Sequence, residues 1–325
     1  MIALAPAPPL VRPTRAYPID RFFLTMHPAS SLARSAVRHA ALALVLSVAP
    51  LSAQIVANFT GGTGTTVVDA YAGTAGNGWL AGWGSTFSAA SLSTTSPLNG
   101  GGNYVSTLSA AGTSADNLLF RQLNASTAAA NGVSLSAPVR LKFDFRLDTS
   151  ALAAGEFVTI NMGGNSSPFS STNTAFAIRA YGSNTGNATA GKWSFYNGTT
   201  TTNTASDNNW VSSSMDLVSG RVYSFTVDIT PNASAAANSG QIGTYTVSIF
   251  DGTSTVSSTA LNWRSNTATT VPTILNFHAK DNSATTSVGF SVDSISLAAV
   301  PEPASFAALS GLAILGFAAS RRRRA

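Results

Sequence analysis

From Val139 to Asp148 the side chains alternate without a break. Val139, Leu141, Phe143, Phe145 and Leu147 fall on one side; Arg140, Lys142, Asp144, Arg146 and Asp148 fall on the other. A period of two sends neighbouring side chains to opposite faces, so this pattern predicts a half-buried strand of an antiparallel sheet. Val222–Ile229 and Tyr245–Phe250 repeat it, and the second ends in Asp251-Gly252, a hairpin-turn pair. Runs at 103–108, 117–123, 156–162, 175–181, 192–197, 254–262, 273–279 and 288–298 predict further strands. Clusters of Gly, Asn, Ser, Thr and Ala, such as 182–191 and 231–240, separate them. Before the C-terminal tail no stretch gives a helix of three turns; the Ala-rich 125–130 and 233–237 are short and flanked by Asn, Ser and Thr. This spacing predicts an all-β fold over 54–298, an antiparallel two-sheet jelly-roll sandwich. A parallel β-helix needs a fixed repeat near ~20 residues, and none is visible.

The two ends read differently. Residues 40–48, Ala-Ala-Leu-Ala-Leu-Val-Leu-Ser-Val, form an apolar run with Arg34, Arg38 and His39 before it and Pro50-Leu51-Ser52-Ala53 after it. This is the order of a secretory signal peptide, and it predicts cleavage between Ala53 and Gln54 by signal peptidase. The run is too short to span a bilayer, which takes about 20 apolar residues. Counted from Met1 the signal has 53 residues; counted from Met26 it has 28. The shorter count matches the usual ~15–30 and makes Met26 the better start.

At the other end Pro301-Glu302-Pro303 precedes seventeen residues without a charge, Ala304 to Ser320, and then Arg321, Arg322, Arg323 and Arg324. Two prolines keep the first part extended. The uncharged run predicts one transmembrane helix of about 25 Å, and the arginines hold its far end on the cytoplasmic side. This order of tripeptide, span and basic cluster resembles the PEP-CTERM sorting signal over residues 299–325. The resemblance implies that an exosortase in the inner membrane of a Gram-negative bacterium recognises the tail and cuts near the tripeptide. It implies transient anchoring, then release to the cell surface or extracellular matrix, and an association with exopolysaccharide and biofilm. The body's length and its closing stretch, Val288 to Leu297, also resemble the concanavalin-like jelly rolls.

The net charge of +5 changes meaning once it is located. Nine of the eighteen Lys and Arg lie in the two terminal signals, while eleven of the thirteen acids lie in 54–300, which is therefore slightly acidic. Nucleic-acid binding needs clustered basic residues, and the body has none. Cysteine is absent, which excludes disulfides, thiolate metal sites and a Cys nucleophile.

Few residues suggest chemistry. His278 is the only histidine after the signal and Glu156 the only glutamate of the body, so a multi-His metal site and a His-based triad have no material. Asp144 and Asp148 share a strand face but stand roughly 13 Å apart, too far to act as a glycosidase pair. Asp207, Asp251, Asp281 and Asp293 lie in or near turns and offer hard oxygen ligands, which makes calcium the one cofactor to consider; turn formation explains them equally well. Trp79, Trp83, Trp193 and Tyr196 stand near Gly or Asn and are candidates for sugar contact, against a default of core packing. The lone His, the lone Glu and the missing carboxyl pair favour a non-catalytic sandwich that binds or scaffolds exopolysaccharide. The alternative is a secreted polysaccharide hydrolase or lyase with the same address.

Overall fold

The computed structural model describes residues 54–300 apart from positions 58, 60–61, 63–67, 70, 72, 74–76, 112–115, 165–172, 199–206, 233–242, 266–271 and 283–285. The predicted signal peptide, Pro301–Pro303, the predicted span and Arg321–Arg324 lie outside the described residues. In chain order the strands are β1 (Gln54–Ala57), β2 (Gly84–Ser85), β3 (Ala89–Ser93), β4 (Tyr104–Leu108), β5 (Asp116–Gln122), β6 (Val139–Leu147), β7 (Phe157–Gly163), β8 (Asn173–Tyr181), β9 (Lys192–Tyr196), β10 (Trp210–Asp216), β11 (Val222–Pro231), β12 (Gly243–Phe250), β13 (Thr255–Ser257), β14 (Leu261–Asn262), β15 (Arg264–Ser265), β16 (Ile274–Lys280) and β17 (Phe290–Ala299). Among the described residues one α-helix, α1 (Ala125–Ala130), and a 3-10 turn at Asp207–Asn209 interrupt them.

The strands form two antiparallel sheets, a jelly-roll sandwich. Nine strands run in the order β13-β12-β11-β6-β17-β4-β3, with β1 on β17 and β14 on β12; eight run β10-β9-β8-β7-β16-β5-β2, with β15 on β8. The alternation in β6 does what it predicted. Val139, Leu141, Phe143, Phe145 and Leu147 are buried, beside Tyr223, Phe225, Val227 and Ile229 of β11 and Tyr245, Val247 and Ile249 of β12. Each such side chain contributes about 1.5–3 kcal/mol when fully buried. Rings set the contact between the layers. Phe143 stacks on Phe225 with centroids 4.8 Å apart, and Trp193 of the other sheet meets Phe225 edge-on at 5.1 Å.

Local chemistry explains several junctions. Asn124 caps α1 by accepting the Thr127 N–H, which stabilises six Ala-rich residues as a short helix. Asp251 closes the β12–β13 turn by accepting the N–H groups of Thr253 and Ser254 at 3.0 and 2.8 Å. In β17 the register against β6 shifts between Asp293 and Ser296. The extra residue is a β-bulge, and Ser294 takes a left-handed φ of 55° within it.

Candidate functional site

The four aromatic residues proposed for sugar contact do not present a surface. Trp79, Trp83, Trp193 and Tyr196 are 3%, 1%, 0% and 2% exposed. Trp83 packs on Phe59 and Phe277, Trp193 on Phe145, Tyr223 and Phe225, and Tyr196 on Trp210. A ring enclosed in this way has no free face for a sugar. The Arg121 guanidinium stacks over Trp79 and Trp83 at 5.0 and 5.7 Å, and burial lowers its pKa to about 10.

The calcium candidates are also separated. Asp251 belongs to its turn and pairs with Arg221 at 2.9 Å. Asp281 is buried at the end of β16, where Ser109 donates to it at 3.0 Å. Asp293 sits in β17 of the other sheet, and the Asp207 side chain lies outside the described residues. Among the described residues no three His, Cys, Asp or Glu side chains gather to hold a metal.

One carboxyl pair does form, and strand spacing alone concealed it. Asp293 stands directly opposite Asp144 across the β17–β6 ladder, both nearly buried. Burial raises the Asp293 carboxyl to about 6, and the neighbouring Asp144 pushes the same way. A cleft of about 300 Å³ lined by Gly100, Gly101, Gly102, Asn103, Asp293 and Ser294 opens beside the pair. Asp148 is held apart from it by Arg146 and Ser291. Glu156 is buried and structural, accepting from the Ala153 N–H and the Thr286 hydroxyl.

A polar site lies on the eight-stranded sheet, on the face turned away from the core. Val158, Ile160 and Met162 of β7 point into the core, so Thr159 and Asn161 point out. By the same alternation Asn276 and His278 of β16, Arg179 of β8 and Ser194 of β9 share that face. The registers bring them into rows: Asn276 opposite Asn161, His278 opposite Thr159, and Arg179 between Thr159 and Ser194. Thr159, Asn161, Ser194, Asn276 and His278 are all 0% exposed. The Arg179 Nε donates to Thr159 at 2.6 Å and another guanidinium nitrogen to the Tyr181 hydroxyl at 3.0 Å. The same guanidinium lies 4.3 Å from the Phe157 ring centre and 4.8 Å from that of Trp210. Ala177, Tyr181, Ala188, Tyr196 and Trp210 pack together there as a second apolar cluster.

Satisfaction is incomplete in this face. Both amide atoms of Asn161 and Nδ1 of His278 are buried without a hydrogen-bond partner among the described residues. Leaving such an atom unpaired costs about 1–3 kcal/mol, and native folds tolerate it where something else depends on the group. His278 Nε2 lies 3.1 Å from Asp116, and burial holds the imidazole below its usual pKa. The neutral ring therefore donates from Nε2 and leaves Nδ1 as an acceptor. The carboxamide, the imidazole acceptor and the guanidinium beside aromatic rings form a polar layer as enclosed as the four candidate rings, with Thr159, Asn161, Ser194, Asn276 and His278 offering no surface to a ligand. The sequence places His278 in the predicted strand 273–279 and gives it no catalytic or metal partner, and it singles out none of Asn161, Asn276, Thr159, Arg179 and Asp116. The signal for Asn161 was present, as a polar residue at an outward position of a strand that is otherwise apolar.

A PEP-CTERM protein-sorting motif matches residues 299–324, which bears out the resemblance to that sorting signal and marks the chain for export and exosortase processing. No curated protein matches the chain in sequence. Among solved structures, an alginate lyase, vAL-1 from Chlorella virus, is 8% identical and aligns with a TM-score of 0.39 over 62% of this chain and 86% of that one. The GH131 β-glucanase catalytic domain from Podospora anserina is 10% identical, with a TM-score of 0.41 over 66% and 80%. The binding domain of botulinum neurotoxin DC is 8% identical, with a TM-score of 0.36 over 70% of this chain and 46% of that one.

Proposed function

We propose that this is an exported protein of the cell surface or extracellular matrix whose sandwich binds or scaffolds exopolysaccharide without cleaving it. The sorting motif supports the address. The observation that carries the non-cleaving reading is that the body's one glutamate and one histidine, Glu156 and His278, are both buried and engaged by neighbours inside the fold. Signal peptidase and exosortase would be its processing partners, and a biofilm matrix its setting. The route runs through transient anchoring in the inner membrane of a Gram-negative cell. The processed protein is expected to retain soluble polysaccharide on a glycan array without releasing reducing ends or unsaturated products. Absence of binding to every glycan would overturn the reading.

A second reading has one observation in its favour. Asp144 and Asp293 oppose each other beside a cleft, and the raised Asp293 is suited to proton donation. That arrangement fits a polysaccharide hydrolase. Release of oligosaccharide that stops in Asp293→Asn would establish it and displace the first reading.

A further inference from the structure

We propose that the end of the nine-stranded sheet from which β17 leaves is the surface the body lays against an anionic bilayer, with a phospholipid headgroup in the cleft beside Lys142. The proposal rests on the reading of residues 304–320 as a membrane span and goes beyond it by orienting the folded body.

The first argument is reach. β17 is held by ladder bonds up to Ala299, and the Val300 N–H still donates to the Pro138 carbonyl at 3.0 Å. The sorting motif therefore begins inside the fold, with no linker before it. From Val300 to Ala304 there are four residues, which extend at most about 14 Å. The headgroup layer on one side of a bilayer is itself roughly 5–8 Å thick. A body tethered so closely touches the headgroups with whichever end it turns toward them, and the tether leaves from this one.

The second argument is that the N-terminal segment leaves from the same end. Gln54 pairs with Ala298, so the predicted signal-peptidase cut and the sorting tripeptide emerge side by side. A precursor held at both points has this end facing the membrane. Ala299 lies opposite Val139, Val139 opposite Ile229, and Ile229 opposite Tyr245, which extends the same end across β6, β11 and β12.

The third argument is charge. A cleft of about 310 Å³ opens here, lined by Gln54, Arg140, Lys142, Ser296, Ala298 and Val300, with Ala299 between the last two. Arg140 is already bidentate to Asp228 at 2.6 and 2.8 Å. Lys142 is exposed and makes no ion pair among the described residues. The end thus offers a cation and a polar lining, with its carboxylate Asp228 engaged, which suits a lipid phosphate.

The absence of cysteine makes the test direct. Single-cysteine full chains, Thr230→Cys at this end and Thr253→Cys at the far end, are labelled with a fluorophore; the two positions are about 20 Å apart along the strands. They are reconstituted into phosphatidylethanolamine–phosphatidylglycerol vesicles carrying a headgroup quencher. Quenching is expected at Thr230→Cys and not at Thr253→Cys, and Lys142→Gln should weaken the part that depends on phosphatidylglycerol about fivefold. Chain that floats with the vesicles but shows equal quenching, or none, at both positions overturns the orientation alone. Chain that does not float overturns the membrane reading and the proposal with it. Quenching at Thr230→Cys that appears only when the sorting enzyme is co-reconstituted assigns the surface to that protein and overturns the lipid contact.

Discussion

His278 and Asp116 are joined diagonally across two strands, with the imidazole Nε2 3.1 Å from a carboxylate oxygen. The ring is fully buried while the carboxylate side chain is 45% exposed, so the pair links the interior of the polar face to its rim. The bond fixes the ring's tautomer and leaves Nδ1 as a buried acceptor.

This pair makes stability sensitive to acid. Burial places the folded pKa of His278 below its value of 6.5 in the unfolded chain. The unfolded chain then binds the proton first, and stability falls as pH drops below about 6.5. Asp116, held low chiefly by its bond to His278, adds a further loss only below about pH 4. Urea unfolding of wild type and His278→Gln between about pH 7 and pH 5 should show the variant with the shallower decline. Parallel curves would remove the imidazole from the account.

Asp293 works in the opposite sense. Its folded pKa of about 6 lies above the 3.8 of an ordinary aspartate, so the folded state takes up a proton first and loses stability as pH rises from about 4 to about 6. Asp293→Asn should stabilise the protein near neutral pH by about 1–2 kcal/mol, less than the ~3 kcal/mol an unscreened shift would give. The gain should vanish below about pH 4. Thermal melts at two pH values measure it.

Asn161 tests the cost of an unpaired amide. Both of its amide atoms are buried without a partner among the described residues. Asn161→Leu, similar in volume, should raise stability by about 1 kcal/mol, read as a higher urea midpoint. A variant less stable than the wild type would show that the amide is satisfied in the folded protein.

Glycine spacing is a purely structural case. A Cβ on Gly182 would meet the Ala153 carbonyl oxygen at 1.8 Å, backbone against backbone. Gly182→Ala should cost upwards of about 2 kcal/mol through the shift it forces, read as a lower urea midpoint.

For the tail, Glu302→Gln in a host with the sorting enzyme should trap unprocessed protein in the membrane fraction. Normal processing and normal surface release would sink the motif's role.

The strands were legible wherever a face was clearly divided. Val139–Asp148 announced β6 because its inner residues are all large and apolar while its outer ones are all charged. β3, Ala-Ala-Ser-Leu-Ser, and the two-residue β2 and β15 were not visible, because small polar residues carry no period. Trp79, Trp83, Trp193 and Tyr196 were ambiguous for a different reason. Neighbouring Gly and Asn suggested exposure, but burial of a large ring depends on what arrives from the other sheet. The Asp144–Asp293 pair and the His278–Asp116 bond join residues 149 and 162 positions apart. Only the strand order brings such partners together, and that order is set by long-range packing.

β17 is the last strand made and it lies inside its sheet, bonded to β6 on one edge and to β4 and β1 on the other. The sheet therefore stays open until almost the whole body has crossed the membrane, and it must then join its first strand to its last. Contacts of such sequence separation form slowly. Folding and presentation of the sorting motif thus meet in one strand: a chain that fails to place β17 leaves Ala299 and Val300, where the motif starts, unpaired. Completion of the sheet and display of the motif are coupled through β17.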